Sequence, residues 1–376
     1  IRKLREFITG ARVIRALSMN DHEIKVFKDV NTEANEAELF ASKELAKINP
    51  LMTILMNTGL VFVLILGAFR LNNGQTEIGS ILAFVTYFTI ILNAMMGITR
   101  IFVLSSRASA SSQRIQDVLD EVETLMEGHE VIDTEHHSHV EFDHVSFSYF
   151  GHTDQLKDIS FTLEKGQSLG IIGATGSGKS TIANLMMRFY DPQEGSIYLF
   201  GKDIKSLSKQ DIRKEIAFVM QNDMIFHDTI AYNVTLSHES DIDKKAVETA
   251  QATFIYDREK SIEDMLTTGG TNVSGGQKQR ILISRALASN PSILILDDAS
   301  SALDYETDQK LREALHVHYQ KVTKVIIAQR VASLKSCDNI LVLDQGKIIA
   351  SGTHEALLET SALYQDISNH QLGDLS

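Results

Sequence analysis

SLGIIGATGSGKST, residues 168–181, joins three kinds of local structure in fourteen residues. An apolar run of strand length ends in a glycine-rich turn, and the turn leads into helix formers. Gly173, Gly178, Lys179 and Ser180 stand at the spacing G-x-x-x-x-G-K-[ST], with Thr175, Gly176 and Ser177 inside the loop and Thr181 just beyond it. Backbone N–H groups in such a loop can turn inward around phosphate oxygens, and the helix behind it adds the positive end of its dipole. Lys179 is placed to reach β- and γ-phosphates, and the Ser180 hydroxyl to bind Mg²⁺. A chance glycine-rich turn is the alternative, but it would need neither a strand before it nor a helix after it. The ligands this stretch points to are a nucleoside triphosphate and Mg²⁺.

Working outward, LILDDASSALD (294–304) closes a second apolar run with two adjacent acids, Asp297 and Asp298. A carboxylate at the end of a buried strand, well downstream of the phosphate loop, can hold Mg²⁺ through water, which gives Asp297 a metal role. Gln221, after the strand-like EIAFVM (215–220), is a candidate second-shell or water-mediated Mg²⁺ contact. Upstream, VEFDHVSFSY (140–149) alternates as a strand should and puts Val145, Phe147 and Tyr149 on one face. Short apolar runs with helical stretches between them make 140–376 an α/β domain around a mixed or parallel sheet.

The first third reads differently. Residues 48–69 and 78–99 are uncharged and predominantly apolar, each near the ~20 residues a helix needs to cross a bilayer. RLNNGQTE (70–77) is short, polar and turn-like, so the two form a hairpin. Lys43 and Lys47 precede the first span, and Arg100, Arg107 and Arg114 follow the second, which places both ends in the cytoplasm. Asp21–Lys47 lacks Pro and Gly, so the first span is expected to extend into a helix of nearly fifty residues, about 75 Å. The chain opens at Ile1 in what reads as mid-helix, so further transmembrane helices are expected to precede it. Residues 121–139 form a polar, acidic stretch read as a solvated linker; a metal site at its His136, His137 and His139 is the alternative.

Charge is split between the two parts. Residues 1–119 carry 13 lysines and arginines against 10 acids, while the rest carries 23 against 39. An acidic α/β domain is a poor nucleic-acid binder, so that partner class is excluded. The single cysteine, Cys337, rules out an intramolecular disulfide framework and fits a reducing compartment.

NVSGGQKQR (272–280) puts Ser274, Gly275, Gly276 and Gln277 directly ahead of the helical ILISRALAS. Alone, SGGQ is a helix cap and two flexible glycines. Together with the phosphate loop and ILILDD, it resembles the nucleotide-binding domain of ABC transporters over essentially all of 140–370. The first 120 residues are similar to the last two spans of an ABC exporter half-transporter, with a coupling helix at about 4–18. The resemblance implies that Tyr149 stacks on adenine and that Ser301–Asp304 is a D-loop. It also implies a second half-transporter as partner. Two ATP sites then form, each taking the phosphate loop and strand-end acids from one chain and Ser274–Gln277 and Asp304 from the other. The location it implies is the inner or plasma membrane, multi-pass, with a cytoplasmic nucleotide-binding domain and a small lipophilic cargo.

Two positions depart from the family pattern. The residue after the Mg²⁺ acid is usually Glu, the base that orients the attacking water; here it is Asp298, one methylene shorter. The switch position after the strand KVTKVII (321–327) usually holds His; here it is Gln329, which can hydrogen-bond but cannot carry a proton. Both departures act on this chain's own loop. The residues lent to the partner's site look intact apart from Val273, where Leu is common. The pattern resembles the degenerate-site subunit of a heterodimeric exporter. A homodimer with two equal, slow sites is the alternative; a nucleotide-sensing channel subunit is a different class, and a soluble DNA-repair ATPase of the family is incompatible with the spans. The stretch DMLTTGGTNVSGG (264–276) lacks the acid the family usually carries a few residues before the signature, which leaves its contact with the coupling helices unassigned.

Overall fold

The structure, a computed structural model, describes residues 2–121, 125–151, 153–221, 223–238, 241–257 and 261–373. The chain divides into two compact units, Ile1–Val122 and Glu123–Ser376.

The first unit is entirely helical. Two short helices, α1 (Arg2–Thr9) and α2 (Ala11–Ala16), cover the segment read as a coupling helix, with Gly10 between them. They are followed by α3 (Asn20–Asn72) and α4 (Ile78–Leu119). The 53 residues of α3 span about 80 Å. Among the described residues, α3 alone is long and apolar enough to cross a membrane, and the described apolar part of α4 is Ile78–Ile91. Side chains such as Ile54, Phe62, Leu66 and Phe69 are more than half exposed, which suits lipid or another helix rather than water. Where the two helices meet, glycine lets them approach: a Cβ on Gly59 would lie 2.7 Å from the Phe88 ring. Thr58 and Thr86 return their hydroxyls to the carbonyls of Ile54 and Leu82 in their own helices.

The second unit is α/β. An antiparallel sheet holds β1 (Ser138–Phe147), β2 (Leu156–Glu164), β4 (Glu194–Leu199) and β5 (Lys202–Asp203). A six-stranded sheet runs in the order β10-β9-β3-β8-β7-β6, comprising β3 (Ser168–Gly173), β6 (Ile216–Val219), β7 (Ile293–Asp297), β8 (Thr323–Ile327), β9 (Asn339–Asp344) and β10 (Lys347–Gly352). Only β10 is antiparallel to its neighbour. The helices are α5 (Lys179–Met186), α6 (Lys209–Glu215), α7 (Ile230–Thr235), α8 (Lys244–Thr249), α9 (Gly275–Ala288), α10 (Tyr305–His318), α11 (His354–Thr360) and α12 (Ala362–Gly373). Near-continuous apolar strands are what a sheet covered on both faces requires: Ile171, Leu294, Ile295 and Val325 are fully buried. Each such side chain contributes about 1.5–3 kcal/mol when removed from water.

The acidic stretch before β1 is mostly exposed, while some of its backbone carbonyls serve cations of the α/β unit; its residues 122–124 lie outside those described. Arg188 is buried and donates to the carbonyls of Leu207 and Met126 and to Asp191 Oδ1. Lys209 Nζ donates to the Leu125 carbonyl and pairs with Glu127 at 3.4 Å. A buried guanidinium must find acceptors, and this one takes one of its three from the linker backbone. His139 belongs to β1 and is buried, with one ring nitrogen 3.1 Å from the Thr134 carbonyl and the other 2.7 Å from Thr323 Oγ1. Among the described residues, no group of His, Cys, Asp or Glu is arranged to hold a metal.

Candidate nucleotide site

The C-terminal ends of β3, β6, β7 and β8 meet along one edge of the parallel sheet, where open α/β sheets present their ligand crevices. A cleft of about 200 Å³ opens there. It is lined by Gln155, Thr175, Gly176, Gly178, Lys179, Ser180, Thr181, Gln221, Asp297, Asp298, Ile327, Ala328 and Gln329. Residues from five separate regions of the sequence are therefore gathered at one place.

The loop's shape explains its glycines. Gly178 has φ +103°, and a Cβ there would lie 2.6 Å from Leu156 Cδ2 and 2.7 Å from the Gln155 carbonyl. Any other residue would be both strained and crowded at this turn. At Gly173 the limit is space alone, since a Cβ would meet the Leu343 carbonyl at 2.2 Å. Inside the loop, Ser177 Oγ is buried with no hydrogen-bond partner among the described residues. Lys179 Nζ folds back onto the carbonyls of Gly173 and Ala174 at 2.9 and 2.8 Å. Burial pushes the Lys179 ammonium below its usual pKa, against the pull of Asp297 and Asp298. An orphaned hydroxyl and a half-desolvated cation in one loop form a cradle suited to an anion with several oxygens.

Asp297, almost fully buried at the end of β7, has its carboxyl pushed above the usual range by burial; a hydrogen bond from Ser180 opposes this, and the neighbouring Asp298 adds to it. A divalent cation would stabilise the charged form. Ser180, Asp297 and Gln221 offer only oxygen donors of the hard kind that Mg²⁺ takes, so the residues fit that ion.

Asp298 stands at φ +52°, in the left-handed region few residues adopt, with its N–H donated to the Ile327 carbonyl at 2.8 Å. Its Oδ2 accepts from Gln221 Nε2 at 3.4 Å and from Gln329 Nε2 at 3.2 Å. The two positions that depart from the family pattern therefore bond to each other.

The other candidates lie outside the cleft lining. Tyr149 packs edgewise on Phe147 and Tyr190, with ring centroids 4.9 and 5.0 Å away, and reaches α5 through Thr181 and Asn184. Ser274 caps α9 in a reciprocal pair with Gln277, the Ser274 hydroxyl accepting from the Gln277 N–H at 3.2 Å. Gly275 and Gly276 open that helix against Ala302, and Asp304 caps α10 by accepting from the Thr307 N–H and hydroxyl. Those two bonds hold the Asp304 carboxyl below its usual pKa. Two residues went unremarked in the sequence. Gln155 lines the cleft and accepts from the Tyr149 N–H, while Gln279 ties α9 to the loop before α10 by accepting from the Ala302 N–H and donating to Ser301 Oγ. A lone glutamine carries no spacing signal, so nothing in the sequence marked them.

Comparison with known proteins gives a consistent picture. Residues 156–301 match the family described as "ABC transporter", and residues 2–95 match "ABC transporter transmembrane region". The chain is 34% identical to the uncharacterized ABC transporter ATP-binding protein YfiB of Bacillus subtilis, over 98% of this chain and 65% of that protein. It is 34% identical to the probable multidrug resistance ABC transporter ATP-binding/permease protein YheH of the same organism, over 99% of this chain and 56% of that protein. It is 31% identical to an ATP-dependent lipid A-core flippase of Syntrophus aciditrophicus, over 98% and 62%. Among solved structures, a bacterial Atm1-family ABC exporter with ATP bound superposes with a TM-score of 0.87 at 25% identity, covering 98% of this chain and 65% of that one. The chain thus spans less than two thirds of the length of these relatives.

Proposed function

The chain belongs to the ABC transporter family, and on that premise we propose that it is one subunit of a heterodimeric exporter whose own phosphate loop holds ATP but hydrolyses it poorly. The observation that carries this reading is the bonding of Asp298 Oδ2 to Gln329 Nε2 and Gln221 Nε2. A general base must aim a free lone pair at a water beside the terminal phosphate. Asp298 is one methylene shorter than the usual Glu, and its Oδ2 is engaged by two amides of its own chain. Gln329 spends its amide N–H on Asp298 and has no proton to exchange. Displacement of a base by about an ångström can cost ~10²-fold in rate.

In this reading Lys179 and the loop N–H groups bind the phosphates, and Tyr149 supports the adenine. Ser180, Asp297 and Gln221 would hold Mg²⁺, which would supply neutralisation of phosphate charge. Ser274–Gln277 and Asp304 lie outside this chain's cleft because they complete the partner's site, where hydrolysis occurs. Both α3 and α4 cross the bilayer, with the nucleotide-binding domain in the cytoplasm. The names of the relatives suggest a lipophilic or lipid-like cargo. The test replaces Asp298 by Glu and Gln329 by His together. The paired change is expected to raise ATP turnover at this chain's own site; equal hydrolysis at both sites of the unmodified transporter would favour the homodimer instead.

A further inference from the structure

Gln329 is fixed from both sides, and one of the two fixings comes from the far end of the chain. On the upstream side, the Ala328 N–H donates to the Ile171 carbonyl of β3 at 3.2 Å. On the downstream side, the carboxamide of Gln371, in α12, closes a two-point clamp. Its Nε2 donates to the Gln329 carbonyl at 2.7 Å, and its Oε1 accepts from the Val331 N–H at 2.8 Å. The helix bearing Gln371 is seated by apolar packing: Ala328, Val331, Leu334, Leu357 and Tyr364 share one buried cluster with Ile172, next to the phosphate loop. We infer that Gln371 is a positioning residue for the nucleotide site, holding the Gln329 backbone so that its side chain faces Asp298 and the cleft.

The physical reason is accounting of backbone polar groups. The Gln329 carbonyl and Val331 N–H belong to an irregular segment with no ladder partner for either, so a side chain must supply both bonds. Only a primary amide offers a donor and an acceptor in one plane; Glu lacks the donor and Leu lacks both. Loss of the clamp frees the segment to rotate and turns the Gln329 amide away from the end of the cleft. That end is where ATP and ADP differ, so the clamp acts on discrimination between them rather than on nucleotide binding as such. This inference rests on the reading of the cleft as an ATP site.

The experiment is photolabelling of the full chain in membranes with azido-ATP and azido-ADP, with Lys179→Ala setting the background. Gln371→Leu and Gln371→Glu are each expected to weaken ATP labelling about three- to tenfold while leaving ADP labelling within about twofold, the loss of roughly one hydrogen bond's worth of positioning. Equal weakening of both nucleotides would show a merely structural role and overturn the inference. So would unchanged ATP labelling in the Leu variant, or wild-type behaviour in the Glu variant, which retains the bond to Val331. If wild-type chain labels with neither nucleotide, the reading of the cleft itself fails, an outcome distinct from the others.

Discussion

At the residue scale, the central question is what one methylene and one imidazole would add. Asp298→Glu alone extends the carboxylate toward the cleft but still faces the Gln329 amide; Gln329→His alone supplies an imidazole with no base in reach. The expected outcome is therefore strong non-additivity: each single change raises hydrolysis little, and the pair raises it by up to ~10²-fold. Release of phosphate under single-turnover conditions checks this. His139 offers a second prediction, independent of nucleotide. Burial lowers its pKa, so the unfolded chain takes up the proton more readily than the folded one. Stability is thus fully present well above the ordinary histidine value and is lost progressively as pH falls through about 6.5 and below. A His139→Gln variant is expected to lose that decline, read as the melting midpoint of the α/β unit against pH. The phosphate loop and the strand-end acids were legible in the sequence because their chemistry demands local spacing. Gln371 was not, nor was the burial of Arg188, because the backbone groups they bond lie far away in sequence.

At the scale of elements, α9 starts where the capping pair of Ser274 and Gln277 allows it to. Ser274→Ala removes a helix cap worth about 1 kcal/mol, with a small drop in melting temperature. Photolabelling of this chain's own phosphate loop is expected to stay unchanged, because Ser274 lies outside the cleft. Loss of labelling on the same chain would place the signature and the loop in one site and contradict the division between cis and trans roles. The strands and long helices were readable from periodicity and from charge-free runs. The docking of the acidic stretch onto Arg188 and Lys209 was not, since polarity alone looks the same in a tether and in a segment whose carbonyls serve buried cations.

For the whole molecule, two folding units with differently composed surfaces are joined in one chain, and each matches a family model of ABC transporters. The helical unit presents its apolar side chains outward, while the α/β unit places a phosphate cleft at the open edge of its sheet. We propose that this cleft holds ATP without consuming it. The most direct measurement is the chemical state of the nucleotide at this site. The assembled transporter is warmed with azido-ATP radiolabelled on the α-phosphate and cross-linked. The nucleotide attached to this chain through its Lys179-dependent site is then identified. The account predicts that it is recovered as triphosphate while the partner's site has passed to diphosphate. Recovery of diphosphate from the wild-type chain at the partner's rate would contradict it.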